Sequence, residues 1–234
     1  MSPSSLPSTA PAPQTAPEAA SERSAVLQAT APDLWLVRHG ESTWNIAGLA
    51  QGHNDEAELT ERGLRQAVAA AAQFGYRPVR AIYASDLRRA QQTAAEFAAV
   101  LGLPVHADPR LRERSLGIHE GNPHSTIGPS VTGLDDGLVV DPDTRPPAGE
   151  SVRDLYQRAA AFCDDLAASL RETAGTGPAG PGGDVLVIAH GGTVRVLDAY
   201  IHGVPVDQMT WRPVDNATIV RIPEFGTQPR GGNR

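Results

Sequence analysis

The sequence predicts an α/β fold, a three-layer α/β/α sandwich whose central sheet is largely parallel. Three observations carry this. Short apolar runs end abruptly in polar turns, as buried strands do. Between them lie stretches with apolar residues spaced i, i+3, i+4 and i+7, the period of an amphipathic helix. The two kinds of segment alternate along the chain, and strands alternating with helices build parallel sheets covered on both faces.

Leu34-Trp35-Leu36-Val37 is the first strand and runs into Arg38-His39-Gly40. Thr60 to Phe74 is a helix with Leu64, Ala67, Val68 and Ala71 on its inner face, stopped by Gly75. Arg80 to Ala84 is a second strand, Leu87 to Leu101 a helix closed by Gly102 and Pro104, and Val105-His106 a short third strand. Residues 117–149 are rich in Gly, Pro and Asp without helical period, and read as an irregular insert. Ser151 opens a long helix with Leu155, Ala159, Phe162, Leu166 and Leu170 on one face, and Ser151 with Asp154 resembles a capping pair. A Gly/Pro connector follows at 175–183. Val185 to Ala189 is a strand ending at His190-Gly191-Gly192; a helix from Thr193 to His202 and a strand from Ala217 to Ile222 complete the set.

These elements form one domain over 32–223. Residues 1–31 are dominated by Ala, Pro, Ser and Thr. Such a stretch buries too little apolar surface to offset the entropy of ordering, so it reads as a disordered arm. Residues 224–234 read as a flexible tail.

The 234 residues carry 27 acidic and 20 basic side chains, a net charge of −7. That leaves no basic face for nucleic acid. No apolar run approaches the ~20 residues that span a bilayer, so no membrane partner is expected. One cysteine, Cys163, excludes a disulfide framework and a cysteine-built metal site. Every basic residue is arginine, which excludes Schiff-base chemistry and a phosphate-loop lysine. Prolines at 3, 7, 11 and 13 and the absence of a cationic start argue against a secretory signal. The expectation is a cytoplasmic protein, with monomer and homodimer both open.

Ligands of open α/β sheets bind beyond the carboxyl ends of the strands. Two strands end there in histidine followed by glycine, at His39-Gly40 and His190-Gly191. A third ends at Ser85-Asp86 and delivers Arg88 and Arg89; Arg112-Glu113-Arg114 makes a fourth polar patch. Each element alone is ordinary surface chemistry. Together they converge without metal-ligand spacing, so no metal site is expected. Arginine forks around histidine suit a phosphoryl group, whose oxygens they match bidentately.

Arg38-His39-Gly40-Glu41-Ser42-Thr43-Trp44-Asn45 resembles the RHGE signature of the histidine phosphatase superfamily, which includes cofactor-dependent phosphoglycerate mutases. Gln51-Gly52 with Leu59-Thr60-Glu61-Arg62-Gly63, Ser85 to Ala94, Leu111 to Arg114 with Glu120-Gly121, and Ala189 to Gly192 resemble its further motifs in order. The resemblance covers 34–222 and implies a phosphoglycerate mutase-like fold.

It also implies a mechanism. His39 is the nucleophile, forming a phosphohistidine; Arg38, Arg89, His190 and Asn45 hold the phosphoryl oxygens; Glu113 is the general acid and base. Gln51, Gly52 and Gly191 contact the substrate. Arg88 is exposed or ion-paired, no cofactor is needed, and the arginines beside Glu113 favour its carboxylate. A tyrosine that mutases carry after the acid is Leu116 here. The insert holds one arginine, Arg145, against Glu120, Asp135, Asp136, Asp141 and Asp143, so a bisphosphoglycerate is expected to meet negative charge. Both departures favour a phosphatase of small phosphorylated metabolites. The alternatives are a mutase-type phosphotransferase and a silent phospho-ligand binder. Glu150 is expected to cap a helix, and His119 and His124 to lie in solvated loops.

Overall fold

The structure, a computed structural model, describes residues 31–172 and 183–226. The expected arm at 1–30, the connector at 175–182 and the tail from 227 lie outside the described residues.

Strands β1 (Leu34–Arg38), β2 (Val79–Ala84), β3 (Val105–Ala107), β6 (Asp184–Ala189) and β7 (Ile219–Ile222) form one sheet in the order β3-β2-β6-β1-β7. All neighbours run parallel except β7, which closes the edge antiparallel to β1. Strand side chains alternate between faces. Leu34 and Leu36 therefore join one core with α5 (Val152–Glu172) and α6 (Gly191–Ile201), built around Leu155, Phe162, Val187 and Leu197. Trp35 and Val37 join the other, under α2 (Glu61–Ala72) and α3 (Arg88–Leu101), with Phe74, Ile82, Phe97 and Ile188. The three-layer α/β/α sandwich follows from that alternation.

Caps set the helix limits. Thr60 caps α2 by accepting from Gly63 N–H at 2.9 Å, and Gly102 closes α3 in the left-handed region at φ 66°. Ser151 and Asp154 make the expected reciprocal cap on α5, each accepting the other's backbone N–H, at 3.1 and 2.8 Å. Helix α6 starts earlier than Thr193, with His190 as its N-cap.

The inner face of α2 departs from expectation. Leu64 and Val68 are exposed, and the buried residues are Gly63, Ala67, Ala70 and Ala71. The cause is close approach. A side chain on Gly63 would meet Glu41 O at 2.0 Å, and one on Gly40 would meet Gly63 O at 2.4 Å. The helix can lie this near the loop after β1 only through its smallest residues, so its apolar stripe turns outward.

The insert is a chain of tight turns with a four-residue helix α4 (Pro129–Thr132) and a hairpin of β4 (Leu134–Asp135) with β5 (Leu138–Val139). The remaining helix, α1 (Thr43–Ile46), is one turn after the first histidine motif.

Candidate active site

A cavity of about 290 Å³ opens at the carboxyl ends of β1, β2 and β6. It is lined by Arg38, His39, Asn45, Gln51, Gly52, Arg89, Glu113, His190 and Gly191. Every residue that the sequence assigned to catalysis, phosphate or substrate thus reaches one space.

His39 directly follows β1, 2% exposed, with Nδ1 2.7 Å from Gly40 O. A carbonyl only accepts, so Nδ1 carries the proton and Nε2 keeps its lone pair. Burial, then the nearby Arg89 and Arg38, hold the ring well below its ordinary pKa, so it stays neutral. Behind it, Asn216 donates Nδ2–H to His39 O at 3.2 Å and to Asn45 Oδ1 at 3.1 Å. Asn45 Oδ1 also accepts from Ser42 N–H at 3.0 Å, completing the cap of α1. Every described side-chain bond of Asn45 thus goes to Oδ1, which leaves the amide N–H₂ as the group it offers the cavity.

Arg89 is fully buried in the first turn of α3. It donates Nη1–H to Asn54 O and Nη2–H to Gly52 O, both at 2.9 Å. Its main-chain oxygen and Gly40 N–H meet at the Thr93 hydroxyl, which ties the arginine to the histidine loop. Burial lowers its pKa to about 10, which leaves it a cation at neutral pH. His190, directly after β6 at the N-cap of α6, is completely buried, with Nε2 2.8 Å from the Ser85 hydroxyl and its ring 5.1 Å from that of His39. Burial first, then Arg89, keeps it neutral too. Arg38 Nε, Arg89 Nε and His190 Nδ1 are buried without a hydrogen-bond partner among the described residues. Orphaned buried polar groups are rare and demand a reason. Here all three belong to cavity residues beside His39, the disposition of a cradle for an oxyanion.

Glu113 accepts backbone N–H from Arg114 and Gly192, both at 2.9 Å. The second bond places its carboxylate against Gly192, where a Cβ would lie 2.2 Å from Oε1. The side-chain bonds of its neighbours go elsewhere: Arg112 pairs with Asp86 and Arg114 donates to Thr132 O. A further arginine, Arg158 of α5, clamps the main chain here. It donates to the carbonyls of Arg110, Arg112 and Glu113, each at 2.8 Å, and pairs with Glu150. Glu150 is therefore an anchor, not the helix cap expected of it. Hydrogen bonds and charge pairing from Arg158, with the Ser115 N–H, hold its carboxyl far below the usual range against the opposing effect of burial.

The expected negative charge over the cavity is absent from its wall. From the insert, His124, Ile127, Thr132 and Leu134 line the cavity, and none is acidic. Asp143 pairs with Arg153, Asp135 and Asp141 are exposed, and Glu120 is used up by backbone N–H groups of His53 and Leu116. Counting charges along a loop misleads when turns point them at solvent. His124 lines the cavity while staying exposed, as expected, and His119 is half-buried outside the cavity wall. Arg88 pairs with Glu58 and stays exposed, as expected. Sequence reasoning missed Asn216, Arg158, Arg195 and Trp211; the last two line the cavity. None belongs to a strand-end signature, so no local signal marked them.

A family profile for the histidine phosphatase superfamily, branch 1, matches residues 34–230. Glucosyl-3-phosphoglycerate phosphatase of Mycobacterium tuberculosis is 38% identical over 173 residues, 74% of this chain and 76% of that protein. A probable phosphoglycerate mutase of Yersinia pestis is 34% identical over 190 residues, 81% of this chain and 83% of that one. Among solved structures, the mycobacterial glucosyl-3-phosphoglycerate phosphatase in complex with VO3 superposes with a TM-score of 0.70 at 35% identity, over 82% of this chain and 90% of that one.

Proposed function

The chain belongs to the histidine phosphatase superfamily, branch 1, and from that premise we propose that it hydrolyses small-molecule phosphate monoesters through a phosphohistidine on His39. One observation carries the proposal: a neutral His39 with a free Nε2 stands beside three buried, unpartnered nitrogens of Arg38, Arg89 and His190.

In the first step Nε2 attacks phosphorus and the bond to the ester oxygen breaks. Charge grows on the phosphoryl oxygens, which Arg38, Arg89, His190 and Asn45 stabilise from fixed positions. With the Ser85 hydroxyl donating to Nε2 of His190, its Nδ1–H is a donor toward an oxygen. Glu113 gives its proton to the departing alkoxide. In the second step the Glu113 carboxylate takes a proton from water, the hydroxide attacks the phosphohistidine, and inorganic phosphate leaves with His39 neutral again. Gln51, Gly52 and Gly191 shape the floor. The arginines supply the positive charge, and the steps need no metal or cofactor.

Glucosyl-3-phosphoglycerate, the ester named for the mycobacterial relative, is the first substrate to try. A 290 Å³ cavity accommodates a small metabolite rather than a folded protein. No described helix is long and apolar enough to cross a membrane, and we place the enzyme in the cytoplasm. The test is phosphate release from a panel of esters, run with EDTA, for wild type and His39→Ala. Release that needs His39 supports the reading. Interconversion of 3- and 2-phosphoglycerate without net release would make it a mutase, and silence in both assays would make it a binder.

A further inference from the structure

The turn that leads into β7 reaches back to three residues of the cavity at once. Asn216 Nδ2 carries two hydrogens, and both are donated there, one to His39 O at 3.2 Å and the other to Asn45 Oδ1 at 3.1 Å. Ala217 N–H donates to His39 O as well, at 3.1 Å, and Arg38 donates Nη1–H to Val214 O. Thr218 N–H closes the turn on Asp215 O at 3.1 Å, with Ala217 at φ 58°, in the left-handed region that residues other than glycine rarely adopt. A backbone conformation of that kind persists where its surroundings over-determine it. Here the bonds to Arg38, His39 and Asn45 are those surroundings.

Asn45 is where this turn bears on chemistry. The last torsion of an asparagine is broad and two-fold, so its bonds, not its rotamer, decide which end of the amide it shows a ligand. Turned one way, Asn45 donates N–H to a phosphoryl oxygen; turned the other, it presents Oδ1 to an anion. Ser42 N–H lies 3.0 Å from Oδ1 and, being backbone, can only donate. The Ser42 hydroxyl is 2.9 Å from Oδ1, but its single proton is as well placed for Gln51 Oε1, at 3.0 Å. Asn216 is therefore the second committed donor, and with Ser42 N–H it fills the two lone pairs of Oδ1. Its bond to His39 O is duplicated by Ala217 N–H; its bond to Asn45 is the one with a distinct consequence.

We propose that Asn216 is a positioning residue: it stands outside the cavity wall and holds the Asn45 amide with its N–H₂ toward the phosphoryl group. The inference rests on the phosphatase reading for turnover, and orthovanadate, which takes the place of the phosphoryl group, tests it by calorimetry without turnover. A double-mutant cycle with Asn45 is the experiment. Asn45→Ala should weaken vanadate binding and lower kcat by about 100-fold, the loss of one donor to a developing oxyanion. Asn216→Ala should cost about 10-fold in both, chiefly in kcat rather than KM, and equally on glycerol 3-phosphate and p-nitrophenyl phosphate, which share the phosphoryl group. The double variant should be no more than about threefold worse than Asn45→Ala alone, because Asn216 acts through a group already removed. Asn216→Asp keeps the shape but sets an acceptor against Asn45 Oδ1. It should lose at least as much as Asn216→Ala, and it carries the same cycle should the alanine variant not fold. A further loss of about tenfold in the double variant, or vanadate binding by Asn216→Ala equal to that of wild type, would overturn the assignment. A non-additive cycle on vanadate in a protein that hydrolyses no ester would keep the role of Asn216 and remove the phosphatase.

Discussion

At one end of the cavity, His39, Arg89 and His190 sit on strand ends or the first turn of a helix, and main-chain bonds within the sheet hold them. His39 N–H donates to Ala189 O and Ser85 N–H to Ile188 O, each at 2.9 Å, so the three strand ends share one register. At the other end, His124, Ile127, Thr132 and Leu134 come from turns, and Trp211 from a loop that bonds Gly137 O through its own N–H at 2.6 Å. The first end is pre-organised by the sheet; the second is positioned by side chain–to–main chain bonds such as Arg114 to Thr132 O. The difference teaches a division of labour. A rigid end gains most where charge develops in the transition state, and a loop-built end can differ in substrate choice without disturbing the chemistry.

The largest effect that could break this comparison is at His39. His39→Ala should cost at least ~10⁴ in kcat, about 5 kcal/mol of barrier, read from phosphate release. Substantial residual activity would remove the nucleophile from the rigid end. Glu113→Gln should cost roughly 10²–10⁴ on alkyl esters and far less on p-nitrophenyl phosphate, whose leaving group needs little protonation. Equal loss on both would place Glu113 among the structural residues.

Arg158→Met sharpens the comparison, because the clamp holds the main chain that carries Glu113. Removing its bonds to three carbonyls and Glu150 should lower stability by about 2–4 kcal/mol in urea unfolding. Its kcat should fall roughly 10-fold on alkyl esters, with a smaller fall on p-nitrophenyl phosphate, since the arginine acts by positioning Glu113. A loss blind to the leaving group would mark the clamp as purely structural.

The smallest effect is in pH. Burial lowers the folded-state pKa of His39 and His190, so below the unfolded value near 6.5 the unfolded chain binds more protons. Stability should be flat at neutral pH and decline as pH falls below about 6.5, by up to about 1.4 kcal/mol per unit for each histidine. Glu150, whose carboxyl is also depressed, contributes stability that is lost only at lower pH, beneath the ordinary carboxylate range. His190→Asn should roughly halve the slope of the first phase, His39 supplying the rest, and leave the second.

Period and punctuation made the sheet, the helices and their caps legible, and strand-end position made His39, Arg89, Glu113 and His190 legible as a group. The inner face of α2 was not, because the contact of Gly40 with Gly63 decides it, and a hydrophobic stripe records only apolarity. Asn216 lies 177 residues from His39 in sequence and touches it only because β7 pairs with β1.

What the sequence determined by itself is local: alternation, caps, and the chemical types at the ends of strands, each set by residues within a turn or two of one another. What the tertiary structure decided is direction. The aspartates of the insert stay out of the cavity wall, Arg158 reaches the main chain around Glu113, and Arg195 lines the cavity with its Nε–H on Arg212 O, because bonds between distant segments set those orientations. Charge on a sequence has a sign and a position along the chain; only packing gives it a side of the molecule.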